Sequence, residues 1–130
     1  MNTKLVMALS AVFLAAIGIG LSFMPQEIAV FTGLGVTKMS LLILQILGAL
    51  FFAFAMLNWM AKGAIIGGIY NRPIAIANFT HFFVGAIALI KAVIGDPDLP
   101  YAVWIAAGIY LFFAILFGII FNRHPIQGNN

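Results

Sequence analysis

Four apolar runs, each about 20 residues or longer, leave this chain few ways to fold. They cover Leu5 to Met24, Met39 to Ala61, Pro73 to Ile94 and Tyr101 to Phe121. At ~1.5 Å of rise per residue, a helix of that length spans the ~30 Å hydrocarbon core of a bilayer. Inside that core every backbone N–H and C=O must find a partner within the protein, and the runs lack the alternation of a barrel strand, so helices are the workable spanning structure. Composition agrees: 65% of residues are hydrophobic, 7% are charged and the mean hydropathy is +1.18. A soluble domain of 130 residues could not bury so much apolar surface. The expectation is an all-α integral membrane four-helix bundle of up-down-up-down connectivity, with residues 1–130 as a single transmembrane domain.

Prolines and glycines punctuate the runs. Pro25 ends the first. Lys4 ahead of an apolar stretch also fits a secretory signal peptide, but the run exceeds a typical h-region and Phe23-Met24-Pro25-Gln26 offers no small-x-small cleavage site, so a retained span is expected. Gln26 to Thr37 is too short to cross and reads as a helical turn at the interface, followed by a bend at Gly33 and Gly35. The second span closes at Lys62, although Ala64 to Tyr70 is apolar enough for its helix to overrun before Asn71-Arg72-Pro73 breaks it. Pro73 suits the first position of the third helix, where its missing N–H costs nothing. Gly95-Asp96-Pro97-Asp98-Leu99-Pro100 is the clearest turn, and a polar tail after Arg123-His124-Pro125 closes the sequence with no soluble domain expected.

Four crossings put both termini and the connector between spans two and three on one side, with Lys4, Lys62, Arg72 and Arg123. The other side has Lys38 and Lys91 and all three acids, Glu27, Asp96 and Asp98. By the positive-inside rule the termini are expected in the cytoplasm, in the inner membrane if the chain is bacterial. Trp59 and Tyr70 near one boundary, and Tyr101 and Trp104 near the other, suit an aromatic belt. The six basic residues form no stripe, so nucleic acid is not an expected partner.

Little in the spans can carry chemistry. They contain no carboxylate, which removes the usual proton relay or cation counter-charge. Cysteine is absent, so thiolate ligands, disulfides and redox pairs are excluded. His81 and His124 are the only histidines and lie far apart in depth, so no metal or other cofactor is expected. Catalytic triads, paired carboxylates and glycine-rich nucleotide loops are missing too.

The remaining candidates are uncharged. Asn78, His81, Gly85, Ala88 and Ala92 fall within about 80° of arc on the third helix, a seam that is polar at one end and small at the other. Asn58 lies four residues before Lys62 and Asn78 six after Arg72, at similar depth, so Asn58, Asn78 and His81 are the candidate site: an inward-facing polar cluster with His81 as the neutral imidazole. Packing by interhelical hydrogen bonds competes with a ligand site as its role. Gln45 points about 140° away from Asn58 and is expected to make an interhelical hydrogen bond of its own. Ala11, Ala15, Gly18 and Ser22 on the first helix, and Ala107, Ala114 and Gly118 around Tyr110 on the fourth, read as packing stripes. The many phenylalanines read as packed or lipid-facing, and Lys91 as a snorkelling side chain.

The segments GALFFAFAMLNWMAKG and YNRPIAIANFTHFFVGA resemble those of small four-span bacterial membrane proteins without an assigned activity. That resemblance implies the fold and no substrate. Small multidrug exporters would need an embedded glutamate, fluoride channels a Gly-Gly-x-Thr-Thr-Phe-Ser segment and quinone epoxide reductases cysteines, and this sequence has none of these. Three functions are weighed. The first is a non-enzymatic protein that binds membrane lipid, another apolar ligand or a membrane-protein partner. The second is a small channel or carrier working as a homo-oligomer, and the third an intramembrane enzyme using His81.

Overall fold

Pro25 both stops one helix and starts the next. In the computed structural model, which describes residues 1–124, α1 (Thr3–Phe23) ends at Met24 and α2 (Pro25–Thr32) takes Pro25 as its first residue. Proline suits both roles, because it cannot continue a hydrogen-bonded helix and gives up only an N–H that a first turn leaves unpaired. Three longer helices follow: α3 (Lys38–Ala61), α4 (Arg72–Gly95) and α5 (Tyr101–Asn122). The described residues contain no strand, only an isolated bridge between Gly67 and Tyr70. The tail read from Pro125 onward lies outside them.

α1, α3, α4 and α5, of 21 to 24 residues, are each long and apolar enough to cross a membrane. They match the four apolar runs to within a residue or two, and the all-α fold with four spans is the one the sequence led us to expect. The chain divides into two compact units, residues 2–63 and residues 64 onward, the latter grouped with Met1.

In the N-terminal unit, α1 and α3 run antiparallel: Ser22 and Gly18 meet Gly48, while Ser10 meets Asn58. The crossing is close. A Cβ on Gly18 would lie 2.8 Å from the Phe52 backbone nitrogen and 2.9 Å from the Gly48 carbonyl oxygen. Only glycine lets the two backbones come so near, the usual device for joining helices in lipid. α2 packs through Ala29 against Leu21 of α1 and Leu44 of α3. It stops at Gly33 in the left-handed region (φ 72°), which glycine enters without strain. α3 then opens on a capping box: the Thr37 hydroxyl accepts from the Ser40 N–H at 3.0 Å, and the Ser40 hydroxyl from the Thr37 N–H at 2.9 Å.

The apolar stretch from Ala64 to Tyr70 does not prolong α3. Gly67 and Gly68 take positive φ, the Gly67 and Tyr70 backbones exchange hydrogen bonds of 3.0 Å, and the chain turns there. Asn71, also at positive φ (47°), caps α4 while its side-chain amide donates to the Ile65 carbonyl at 2.7 Å. Helix α4 therefore begins at Arg72, and Pro73 is its second residue, still within the turn whose N–H groups lack helical partners.

α4 and α5 form the second antiparallel pair. Phe79 reaches Gly118, Phe82 stacks on Phe113 and Phe117, and Gly85 lies against Tyr110. The turn between them is closed by the Asp98 N–H donating to the Asp96 carboxylate at 3.1 Å.

Candidate functional site

Each unit has polar side chains in its interior. Asn58, one turn before the end of α3, is fully buried, and its amide donates to the Ser10 hydroxyl of α1 at 3.0 Å. Ser10, equally buried, passes the bond on by donating to the Met7 carbonyl at 3.0 Å. This short relay ties α3 to α1 and leaves the serine both accepting and donating.

Asn78 and His81 lie three residues apart on α4. Asn78 is fully buried and donates from its amide to the Ile74 carbonyl of its own helix at 3.0 Å. His81 is half-buried, with its Nε2 3.2 Å from the Tyr110 hydroxyl of α5. Which of the two donates depends on the tautomer. Gly85, one turn beyond His81, has no Cβ because the Tyr110 ring occupies that space. The ring centroids of His81 and Tyr110 are 5.4 Å apart, and Phe82 sits 5.2 Å from Tyr110 with its ring turned edge-on.

The three residues singled out from sequence thus fall in both units, Asn58 in the first and the Asn78–His81 pair in the second. Sequence reasoning did not find Ser10 as the partner of Asn58 or Tyr110 as the partner of His81. A signal existed for Ser10: it is six residues past Lys4, the depth argument that was applied to Asn78. Tyr110 stands among the small residues Ala107, Ala114 and Gly118, where a bulky ring needs a facing gap, and Gly85 provides it.

Two expected contacts read differently in the structure. Within its own unit, residues 2–63, Gln45 is exposed and its side chain has no hydrogen-bond partner. The seam on α4 packs only as far as Gly85, since Ala88 and Ala92 are exposed and Ala86 and Val93 are buried in their place. A packing face on a helix of nearly uniform hydropathy is set by its neighbour, which the α4 sequence alone does not contain.

A groove opens between α1 and α3 toward the Asn58 end, away from the glycine crossing. It holds about 260 Å³ and is lined by Ala11, Val12, Ala15, Phe52, Ala55, Met56 and Trp59. Beside Trp59, the Lys62 ammonium sits 2.9 Å from the ring centroid, a cation–π contact at the end of α3.

Among the described residues no three His, Cys, Asp or Glu side chains come together as a metal site. The chain matches no protein-family model, no curated protein and no solved structure.

Proposed function

We propose that the chain is a non-enzymatic membrane protein that holds a lipid-like chain in the groove between α1 and α3. The observation that carries this reading is the groove itself: walls of alanine, valine, phenylalanine and methionine, ending at a tryptophan with an ammonium on its ring. About 260 Å³ is slightly less than the ~300–1,000 Å³ of small-molecule sites, which suits part of an acyl chain. A cation at the mouth favours an anionic headgroup, since basic residues at the membrane surface attract acidic lipids. The Ser10–Asn58 bond and the His81–Tyr110 bond then serve as struts within their units.

Native mass spectrometry of the full chain released from nanodiscs containing phosphatidylglycerol tests the reading. The expected result is a retained lipid on the wild type that is lost in Ala15→Phe, which fills the groove, and kept in Ala88→Phe, on an exposed stretch of α4. Equal retention by all three proteins, or none by the wild type, would overturn it.

The same proposal places both termini in the cytoplasm of a bacterial cell and the groove mouth at the inner leaflet. Its support is the positive-inside balance of Lys4, Lys62, Arg72 and Arg123 against Lys38 and Lys91. Asp98→Cys gives a single thiol in a chain without others. Impermeant maleimide should label it in intact cells, and labelling only after lysis would reverse the orientation.

A further inference from the structure

The α4–α5 hairpin brings two arginines to one of its ends. Arg72 opens α4 and Arg123 caps α5, so the antiparallel pairing of two spans sets both at the same membrane boundary. Each side chain is held. The Arg72 guanidinium carbon lies 5.1 Å from the centroid of the Phe121 ring, and Arg123 donates through Nη1 to the Met1 carbonyl at 3.0 Å. The connector ahead of α4 closes the same end, since a Cβ on Gly68 would lie 3.5 Å from both the Arg123 carbonyl oxygen and His124 Nδ1. A guanidinium carries five N–H donors, so one bond to Met1 leaves Arg123 most of its own.

No acidic side chain of the sequence reaches that boundary. Glu27 follows α1 and Asp96 and Asp98 follow α4, so the order of the spans puts every one of them at the opposite boundary, about 30 Å away. This holds for any placement of the first unit, because the ends it brings to the boundary of Arg72 and Arg123 carry Lys4 and Lys62.

We propose that Arg72 and Arg123 together hold the phosphate of one acidic phospholipid. A guanidinium fork matches two phosphate oxygens at once, which a lysine ammonium does not do. Uncompensated basic residues at a membrane surface attract acidic lipids. The occupant follows from the depth of the site: a phospholipid carries its phosphate where the spans end, and its acyl chains run on into the hydrocarbon beside the same hairpin. The proposal does not rest on the groove, whose lining belongs to α1 and α3 alone.

The test is native mass spectrometry of the full chain in neutral detergent, titrated with phosphatidylglycerol or phosphatidylcholine. The wild type should bind the glycerol lipid more tightly. Arg72→Gln with Arg123→Gln should weaken it roughly 30-fold, the attraction of two basic residues at the surface. Arg72→Lys with Arg123→Lys keeps both charges and should recover most of that loss. Lys38→Gln with Lys91→Gln removes the same charge at the opposite boundary and should change binding little. Excess inorganic phosphate should not displace the lipid. The 30-fold factor should persist in Ala15→Phe, whose groove is filled, so loss from the groove and loss from this site are read separately. The proposal is overturned if the glutamine pair at Arg72 and Arg123 binds like the wild type, or if the Lys38 and Lys91 pair loses as much. It is equally overturned if the lysine pair fares no better than the glutamine pair, if inorganic phosphate displaces the lipid, or if the factor disappears in Ala15→Phe.

Discussion

Where α1 crosses α3, Gly18 and Gly48 bring backbone against backbone; where α4 runs along α5, Phe82 is wedged among Phe113, Phe117 and Tyr110. Both pairs face the same difficulty. Lipid tails are as apolar as the helices, so water drives neither pair together, and close packing with a few hydrogen bonds must suffice. The first pair gains contact by omitting side chains, the second by interlocking rings at 4.9 to 5.6 Å. Each also has a polar bond between its helices, Asn58 to Ser10 in one and His81 with Tyr110 in the other. The contrast teaches that the two halves should fail in opposite directions, one when atoms are added and the other when they are removed.

The largest expected effect is from Phe82→Ala, which empties the centre of the ring stack. It should destabilise the protein by about 3 kcal/mol, the lower end for a buried phenylalanine because lipid is also the reference state. The midpoint of SDS-driven unfolding in bicelles reads it, and a shift equivalent to less than about 1 kcal/mol would show that the rings are not the joint. Next comes Gly48→Val, expected to cost roughly 1–3 kcal/mol by forcing two backbones apart. Gly108→Val is its control, since nothing lies within 4 Å of a Cβ there, and an equal loss in both would remove close approach as the explanation.

Smaller again are Asn58→Leu and His81→Phe. Asn58→Leu deletes the bond to Ser10 and His81→Phe the bond to Tyr110, and an interhelical hydrogen bond in a membrane is worth about 0.6 kcal/mol on average and about 1.7 at most. The same unfolding assay should rank both below the two packing variants. A loss above ~3 kcal/mol for either would mean that the residue belongs to a larger polar network, and would sharpen the candidate site rather than the packing comparison.

How much of this the sequence disclosed follows from the range of each interaction. Span limits depend on local hydropathy and on residues such as Pro25 and Pro100, so they were legible. The short helix after Pro25 and its stop at Gly33 were legible for the same reason. The end of α3 at Lys62 was legible as well, but the turn after it was not, because Ala64 to Tyr70 is apolar and its turn depends on Gly67, Gly68 and the side chain of Asn71 acting together. Asn58, Asn78 and His81 stood out as polar groups in apolar helices, yet their partners Ser10 and Tyr110 depend on the register of a neighbouring helix. Gln45 shows the same limit from the other side: its chemistry demands a partner, and only the packed helices show that α1 and α2 do not supply one.

The division at residue 63 also bears on how the protein is made. The α1–α3 contacts close entirely within the first half of the chain, so that hairpin is complete in sequence before α4 exists. At roughly 5–20 residues per second of synthesis, on the order of 5 s pass while the second half is still being made. That is ample time for two neighbouring helices to meet, so the ribosome itself sets the order of assembly, first pair before second. Nascent chains stalled soon after α3 leaves the translocon, carrying Ser10→Cys and Asn58→Cys, should already form the disulfide between them. If the disulfide appeared only once α5 had been made, the first hairpin would be waiting for the second.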